Sequence, residues 1–278
     1  MMPPKRERVV LTTGANSGFG LMIAIELARR GFTSIGSVRS KEKAAKVHQA
    51  AADAGVAVET VVFDVRNEAL CKDALASLPP LWGLVNNAGY NASGAMLDIT
   101  AEEVRDAVDV MLLAPLRLAS LVAPRMADAG GGRIVNITSA GGRVAVPLAG
   151  SYSAAKFGLE GASDTMRMEL ARYGIRVVLI EPGSFGGTSI YNEGVFLENG
   201  RWDNSDYRSA YSRLRSVTSA SYLHKDAAPV VRRVAQALES DRPRARYTVG
   251  SDARAMLAMQ AVLPTAMRDA IYRRLLRL

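Results

Sequence analysis

The chain has 278 residues, of which 49% are hydrophobic, so it can bury one large core without disulfide bonds. Its single cysteine, Cys71, excludes a disulfide framework and a paired Cys/His metal site, which favours a reducing compartment and no bound metal. The formal net charge is +8, but the basic residues are scattered without an aromatic platform, which argues against a nucleic-acid partner.

Strands alternate with helices along the whole length, which predicts a single α/β domain over residues 1–278. The opening residues are polar and charged and do not resemble a secretory signal. The longest apolar window, Val110 to Pro124, contains Arg117 and two prolines and is too short to span a bilayer. We therefore expect no transmembrane segment and a cytoplasmic location.

The first predicted strand, Val9 to Thr12, runs into a glycine-rich turn and then into a helix from Leu21 to Arg30. In a dinucleotide site the glycines let the backbone approach the pyrophosphate, and the helix N-terminus offers N–H groups to its charge. A glycine turn without a ligand is the alternative. The candidate cofactor residues of this turn are Gly14, Asn16, Ser17, Gly18, Phe19 and Gly20.

The end of the second predicted strand, Thr33 to Val38, is where nicotinamide cofactors are distinguished. An acidic residue there would hold the ribose 2′-hydroxyl of NAD. This chain has Arg39 instead, which could pair with a 2′-phosphate through two hydrogen bonds. NADP is therefore favoured over NAD, although an ordinary surface arginine would give the same sequence.

The third and fourth predicted strands, Val58 to Phe63 and Leu81 to Val85, also end in candidate cofactor contacts. Asp64 could accept a hydrogen bond from the adenine amino group, or it could cap the next helix. Small residues after the fourth strand allow close backbone contact with a cofactor. The candidates at these two strand ends are Asp64, Val65, Asn87, Ala88 and Gly89.

A capping box at Thr100 to Glu103 opens a long helix that runs to about Asp128. The apolar strand Arg133 to Thr138 follows and brings Ser139 to its carboxyl end. The next helix runs from about Tyr152 to Tyr173, so the chain keeps its alternation of strands and helices.

Tyr152 and Lys156 are one turn apart on that helix and share a face. An ammonium close to a phenol favours the phenolate and lowers the tyrosine pKa from its usual value of about 10. Such a tyrosine can exchange a proton near neutral pH while the Ser139 hydroxyl stabilises a neighbouring oxygen. An exposed helix face without chemistry is the alternative.

From Ser184 to about Lys225 the periodicity is lost, and the segment carries seven of the seventeen aromatic residues. A mobile lid over an apolar ligand would have this composition, and a surface excursion is the alternative. A helix from Asp226 to Ser240, a last strand from Arg246 to Val249 and a helical tail follow. The basic amphipathic tail could rest on a membrane surface or a partner subunit, or be solvated.

These motifs resemble the short-chain dehydrogenase/reductase family over nearly the full length. The segment from Thr13 to Gly20 resembles its cofactor turn, and the segment from Asn86 to Gly89 resembles its Asn-Asn-Ala-Gly motif. The family's catalytic serine, tyrosine and lysine match Ser139, Tyr152 and Lys156, and the last two would also contact the cofactor.

Pro182 and Gly183 resemble the family's segment beside the nicotinamide, with Thr188 a looser match to the threonine after it. The resemblance implies an NADP-dependent oxidoreductase with a doubly wound, Rossmann-type sheet of seven parallel strands. It also implies a homodimer or homotetramer built on two long helices.

Three segments, Leu81 to Gly89, Lys156 to Glu160 and Tyr173 to Val177, are similar to the hydroxysteroid and retinol dehydrogenase branch. The implied substrate is a bulky apolar alcohol or carbonyl compound of the steroid or retinoid type, with which the aromatic segment agrees. Reduction of small polar carbonyls or acyl thioesters is an alternative.

Met111 departs from the family pattern. The family usually has an asparagine there, which anchors a water in a proton relay through the lysine; a thioether cannot donate a hydrogen bond and accepts only weakly. Either the relay runs on water alone, or turnover is slow, or the protein is an NADP-binding sensor or scaffold without chemistry. Because serine, tyrosine and lysine all remain, an enzyme is favoured.

Overall fold

The computed structural model describes residues 2–186, 201–221 and 226–278, without the side chains of residues 217–221. One sheet contains seven parallel strands in the order β3-β2-β1-β4-β5-β6-β7. The strands are β1 (Val9–Thr12), β2 (Thr33–Val38), β3 (Glu59–Val62), β4 (Gly83–Asn86), β5 (Gly132–Ile137), β6 (Ile175–Pro182) and β7 (Arg246–Val249). The seven-stranded Rossmann-type α/β fold is therefore confirmed.

Helices cover both faces of the sheet, which is why its strands are apolar on both sides. They are α1 (Gly18–Arg29), α2 (Lys41–Asp53), α3 (Glu68–Ser77), α4 (Ala101–Val108), α5 (Ala114–Asp128), α6 (Gly150–Glu169), α7 (Arg208–Ser221), α8 (Ala228–Glu239), α9 (Ser251–Val262) and α10 (Thr265–Leu276). One large hydrophobic cluster joins α1 and α8 to the sheet, and another joins α3 and α5 to it.

The strand order reverses direction at β1, which lies between β2 and β4. In such sheets a crevice opens beyond the carboxyl ends of the strands at this point, and ligands bind there. The candidate residues from Gly14 to Gly183 follow the carboxyl ends of β1 to β6, so the topology gathers them along one edge.

The long helix expected from Thr100 to Asp128 is interrupted by a π-helical turn, Asp109–Leu113, between α4 and α5. Among the described residues, Ala101–Asp128 is long and apolar enough to cross a membrane by length and composition, which the sequence analysis did not anticipate. Its apolar residues Leu118, Val122 and Met126 are buried in the core cluster.

The periodicity was expected to be lost from Ser184 to about Lys225, and this is wrong for the part that forms α7, Arg208–Ser221. Tyr207, Ala210, Tyr211 and Leu214 follow a helical spacing and pack in one apolar cluster, which explains the helix. Residues 187–200 and 222–225 lie outside the described residues. They include Tyr191, Phe196, Tyr222 and the candidate Thr188.

Candidate active site

The turn between β1 and α1 has a backbone that only glycine adopts readily. Gly14 and Gly18 have φ values of 67° and 54°, in the left-handed region. A Cβ at Gly20 would overlap the carbonyl oxygen of Gly14 and lie 2.6 Å from Asn87 Nδ2. The turn, the start of α1 and the end of β4 are therefore packed together without room for a side chain.

Thr13 holds the ends of β1 and β4 together. Its Oγ1 accepts hydrogen bonds from the backbone N–H groups of Asn87 (3.0 Å) and Ala88 (2.9 Å). In return, Asn87 Nδ2 donates to the Thr13 carbonyl oxygen at 2.9 Å. Thr13 was not among the predicted site residues. Its position, as a polar residue at the carboxyl end of a strand, could have indicated that it bonds to a neighbouring strand end.

A cavity of about 340 Å³ lies along the carboxyl ends of β1 to β4. The predicted cofactor residues that line it are Gly14, Asn16, Ser17, Gly18, Phe19, Arg39, Asp64, Val65, Asn87, Ala88 and Gly89. Gly20, Pro182 and Gly183 do not line it, and neither do Tyr152 and Lys156. Its volume lies in the range of sites for small ligands, roughly 300–1,000 Å³.

Asp64 is held at the cavity wall by Arg66. The Arg66 guanidinium bonds to the Asp64 carboxylate at 2.7 Å, and this hydrogen bond lowers the Asp64 pKa. Arg66 also bonds to Asp106 at 2.7 Å, and the Tyr90 hydroxyl donates to Asp106 at 2.6 Å. The alternative role for Asp64 as helix cap is wrong, because Asn67 caps α3.

Two cations line the cavity near the end of β2. Arg39 is exposed and Lys43 is partly exposed on the first turn of α2. Within the described part of the chain neither is in an ion pair, so both charges face the cavity uncompensated by a bonded carboxylate. The sequence analysis identified Arg39 and missed Lys43.

Ser139 and Tyr152 both border Gly141. An ideal Cβ at Gly141 would lie 3.4 Å from Ser139 Oγ and 3.3 Å from Tyr152 Cε1, so both side chains border one point. Ser139 Oγ accepts a hydrogen bond from the Gly141 N–H at 3.0 Å and lies 3.5 Å from the Pro182 carbonyl oxygen, to which it donates. These contacts orient the serine hydroxyl between the ends of β5 and β6.

Lys156 lies beneath Tyr152 on α6. Its Nζ is 5.9 Å from the centre of the Tyr152 ring and donates to the Ile137 carbonyl oxygen at 2.8 Å. The side chain is buried, and the loss of hydration lowers the Lys156 pKa to about 8, although the charge of Glu160 opposes the shift. The shared helix face expected for Tyr152 and Lys156 is present.

A buried amide chain fixes α6 against the sheet. Asn86 Nδ2 donates to Asn136 Oδ1 at 2.8 Å, and Asn136 Nδ2 donates to Ser163 Oγ at 2.8 Å. These bonds link β4, β5 and α6, so they help to hold the helix that carries Tyr152. No pattern among neighbouring residues of the sequence predicted that Asn136 and Ser163 would join the sheet to α6.

Met111 lies in the π-helical turn and is fully buried. It packs in a small cluster with Ala155 of α6 and with Tyr152. A Cβ at Gly89 would be 3.4 Å from Met111 Cγ and 3.6 Å from its sulfur. The thioether therefore fills the space between the segment after β4 and the helix that carries Tyr152.

The sequence profile of the short chain dehydrogenase family matches residues 8–194. The chain belongs to this family. It is 32% identical to short-chain dehydrogenase/reductase family 9C member 7 of Bos taurus, over 97% of this chain and 90% of that one. It is 31% identical to retinol dehydrogenase 16 of Rattus norvegicus, over 96% and 88% of the two chains.

A solved short-chain dehydrogenase from Streptomyces avermitilis superimposes on this member of the family with a TM-score of 0.76. The two are 29% identical, and the match covers 97% of this chain and 96% of the other. The expected family and its retinol dehydrogenase branch are thus confirmed, and the protein is an oxidoreductase of a family that uses nicotinamide cofactors.

Proposed function

We propose that this short-chain dehydrogenase interconverts a bulky apolar secondary alcohol and its ketone with NADP. The observation that carries the proposal is that the Ser139 and Tyr152 side chains both border Gly141, with Lys156 Nζ 5.9 Å from the centre of the phenol ring. That arrangement suits one reacting oxygen atom, which both hydroxyl groups could contact.

The bound nicotinamide would supply or accept the hydride at its C4 carbon. During reduction Tyr152 gives a proton to the substrate oxygen, and Ser139 donates a hydrogen bond to the same atom as negative charge develops on it. The ammonium of Lys156 makes the phenolate that remains on Tyr152 less costly. In the oxidative direction the Tyr152 phenolate accepts the proton of the alcohol, while the hydride would pass to the nicotinamide.

The glycine turn and the cavity fit a dinucleotide. Gly14 and Gly18 provide a backbone without side chains at the N-terminus of α1, where N–H groups attract a pyrophosphate. Arg39 and Lys43 supply two cations at the end of β2, which supports a 2′-phosphate and hence NADP over NAD. The carboxylate of Asp64 is paired with the guanidinium of Arg66, which reduces its repulsion of a bound phosphate.

Apolar side chains flank the start of α6 and support an apolar substrate. Met96 and Leu97 are strongly exposed in the loop after β4. A Cβ at Gly150, the first residue of α6, would collide with the Met96 sulfur, so this loop lies against the helix that carries Tyr152. The similarity to a retinol dehydrogenase supports the same substrate class.

The proposal includes a homodimer or homotetramer formed through the two long helices, in the cytoplasm. Three exposed apolar side chains support such an interface: Leu113 in the π-helical turn before α5, and Phe157 and Met168 on α6. The single buried cysteine agrees with a reducing compartment.

A sensor or scaffold without turnover is the second candidate. The buried Met111 beside Tyr152 favours it, because no polar group of that residue can hold a water for a proton relay.

The deciding experiment measures NADPH binding and NADPH oxidation with steroid, retinoid and aromatic carbonyl compounds. We expect cofactor binding and turnover of at least one of these compounds. Tight binding with no turnover on any carbonyl compound would favour the sensor. Turnover of only small polar carbonyls or acyl thioesters would contradict the apolar substrate.

A further inference from the structure

The C-terminal helix α10 exposes a continuous apolar stripe. Met267, Ile271 and Leu275 are 53%, 42% and 43% exposed. They are spaced four residues apart, so they lie along one side of the helix. Leu278, two residues after the end of the helix, is also exposed. Large apolar side chains grouped in this way indicate a surface that contacts something else.

Arginines border this stripe on both sides. At about 100° per residue, Arg268 lies next to the stripe on one side and Arg274 on the other, whereas Arg273 lies on the far side of the helix and Arg277 follows its end. Residues 253–278 contain five arginines and one acidic residue, Asp269. Within the described part of the chain, none of these arginines is in an ion pair with a carboxylate.

The opposite side of α10 is attached to the body of the protein. Leu276 is buried in the apolar cluster that contains Trp202 and Tyr211, and α10 packs along α7. The stripe is therefore displayed by an anchored helix, and a contact through it requires no rearrangement of the fold.

Two kinds of partner could cover an apolar stripe: another protein surface or a lipid surface. In a symmetric contact between two copies, each stripe would bring its bordering arginines towards those of the other copy, and like charges would repel. A bilayer with anionic headgroups has the opposite charge, and helices with an apolar side edged by Lys or Arg lie in such interfaces.

We propose that α10 docks the protein peripherally on an anionic lipid bilayer. Met267, Ile271 and Leu275 would enter the boundary between headgroups and acyl chains, while Arg268 and Arg274 would contact lipid phosphate and carboxylate groups. Docking does not depend on the proposed reaction, because vesicle binding requires neither cofactor nor turnover.

The test is co-sedimentation of the full chain with vesicles of phosphatidylcholine, with and without phosphatidylserine. We expect binding to vesicles that contain phosphatidylserine, little binding to phosphatidylcholine alone, and release by salt. The double variant Ile271→Ser/Leu275→Ser should reduce binding about tenfold or more, and Arg268→Glu/Arg274→Glu should do the same. A circular dichroism spectrum and a melting temperature like those of the wild type would show that the variants are folded.

The matched control is Val62→Ser/Leu70→Ser, because Val62 and Leu70 are 45% and 47% exposed on β3 and α3. It should bind vesicles like the wild type. Equal binding by the α10 variants and the wild type, or equal binding to vesicles without phosphatidylserine, would overturn the proposal. The absence of vesicle binding would also overturn it. A dimer in solution that the α10 variants abolish would do the same, because the stripe would then contact a second copy of the chain.

Discussion

Lys156 places its Nζ 5.9 Å from the centre of the Tyr152 ring, one helical turn away on α6. The same nitrogen is held from the other side by a 2.8 Å hydrogen bond to the Ile137 carbonyl oxygen. Because the lysine side chain is buried, water screens its charge poorly, and the phenol ring lies in its field. The predictions on chemistry below depend on this pair.

Tyr152→Phe should abolish turnover and leave NADPH affinity nearly unchanged. The variant keeps the ring that packs beside Met111 but loses the hydroxyl that exchanges the proton. A fall in kcat of at least about 100-fold is expected. Steady-state kinetics and fluorescence titration with NADPH would measure the two effects. If the variant kept the wild-type kcat, the assignment of Tyr152 would be wrong.

Lys156→Met should remove most activity and yet stabilise the cofactor-free protein near neutral pH. Burial lowers the Lys156 pKa from 10.5 to about 8, so below that pH the folded protein carries a poorly hydrated ammonium. Between these values the unfolded chain binds more protons than the folded one, so wild-type stability rises with pH. Allowing for the lost bond to Ile137, a gain of about 2 kcal/mol is expected at pH 7.

Urea unfolding of the wild type and of Lys156→Met at several pH values would test this stability effect. The advantage of the variant should shrink as the pH rises from 8 towards 10.5. A variant less stable than the wild type at pH 7 would mean that the ammonium is well compensated in the folded protein.

Met111→Asn should raise kcat, by up to about tenfold, and lower stability. An amide can hold a water beside Tyr152, which a thioether cannot, but it places a polar group in a fully buried site. Met111→Leu is the control, because it keeps the apolar contact and should leave kcat unchanged. If both variants had the same kcat, the side chain at this position would not limit proton transfer.

Arg39→Ala should weaken NADPH binding by roughly 10- to 100-fold and leave NADH binding unchanged, because it removes charge-assisted hydrogen bonds to the 2′-phosphate. Lys46→Ala provides the control, since Lys46 is exposed on α2 and does not line the cavity. Equal losses with both cofactors would point to a general electrostatic effect and not to recognition of the phosphate.

Gly20→Ala should destabilise the protein by about 1–3 kcal/mol and weaken cofactor binding. The new Cβ would overlap the Gly14 carbonyl oxygen and crowd the Asn87 side chain. Gly161→Ala, on α6, is the control, since its Cβ would meet nothing within 4 Å and should stabilise the helix by up to about 1 kcal/mol. Thermal unfolding of both variants would show effects of opposite sign.

Features that depend on neighbours in the chain were predictable from the sequence. The glycine turn follows from backbone angles that only glycine adopts readily, and the pairing of Tyr152 with Lys156 follows from the helical period. The capping box between Thr100 and Glu103 is likewise local and is present. Even the sheet follows from alternating strands and helices, because parallel strands need crossover helices.

The tertiary structure alone decided which distant groups meet. Thr13 bonds to Asn87, and Arg66 joins Asp64 to Asp106, because the strand order brings the ends of β1, β3 and β4 to one edge. The depth at which Lys156 is buried and the position of Met111 beside Tyr152 depend on how α6 and the π-helical turn pack. Such contacts join residues far apart in the chain, so no local pattern encodes them, whereas turns and helix faces are encoded by a few adjacent residues.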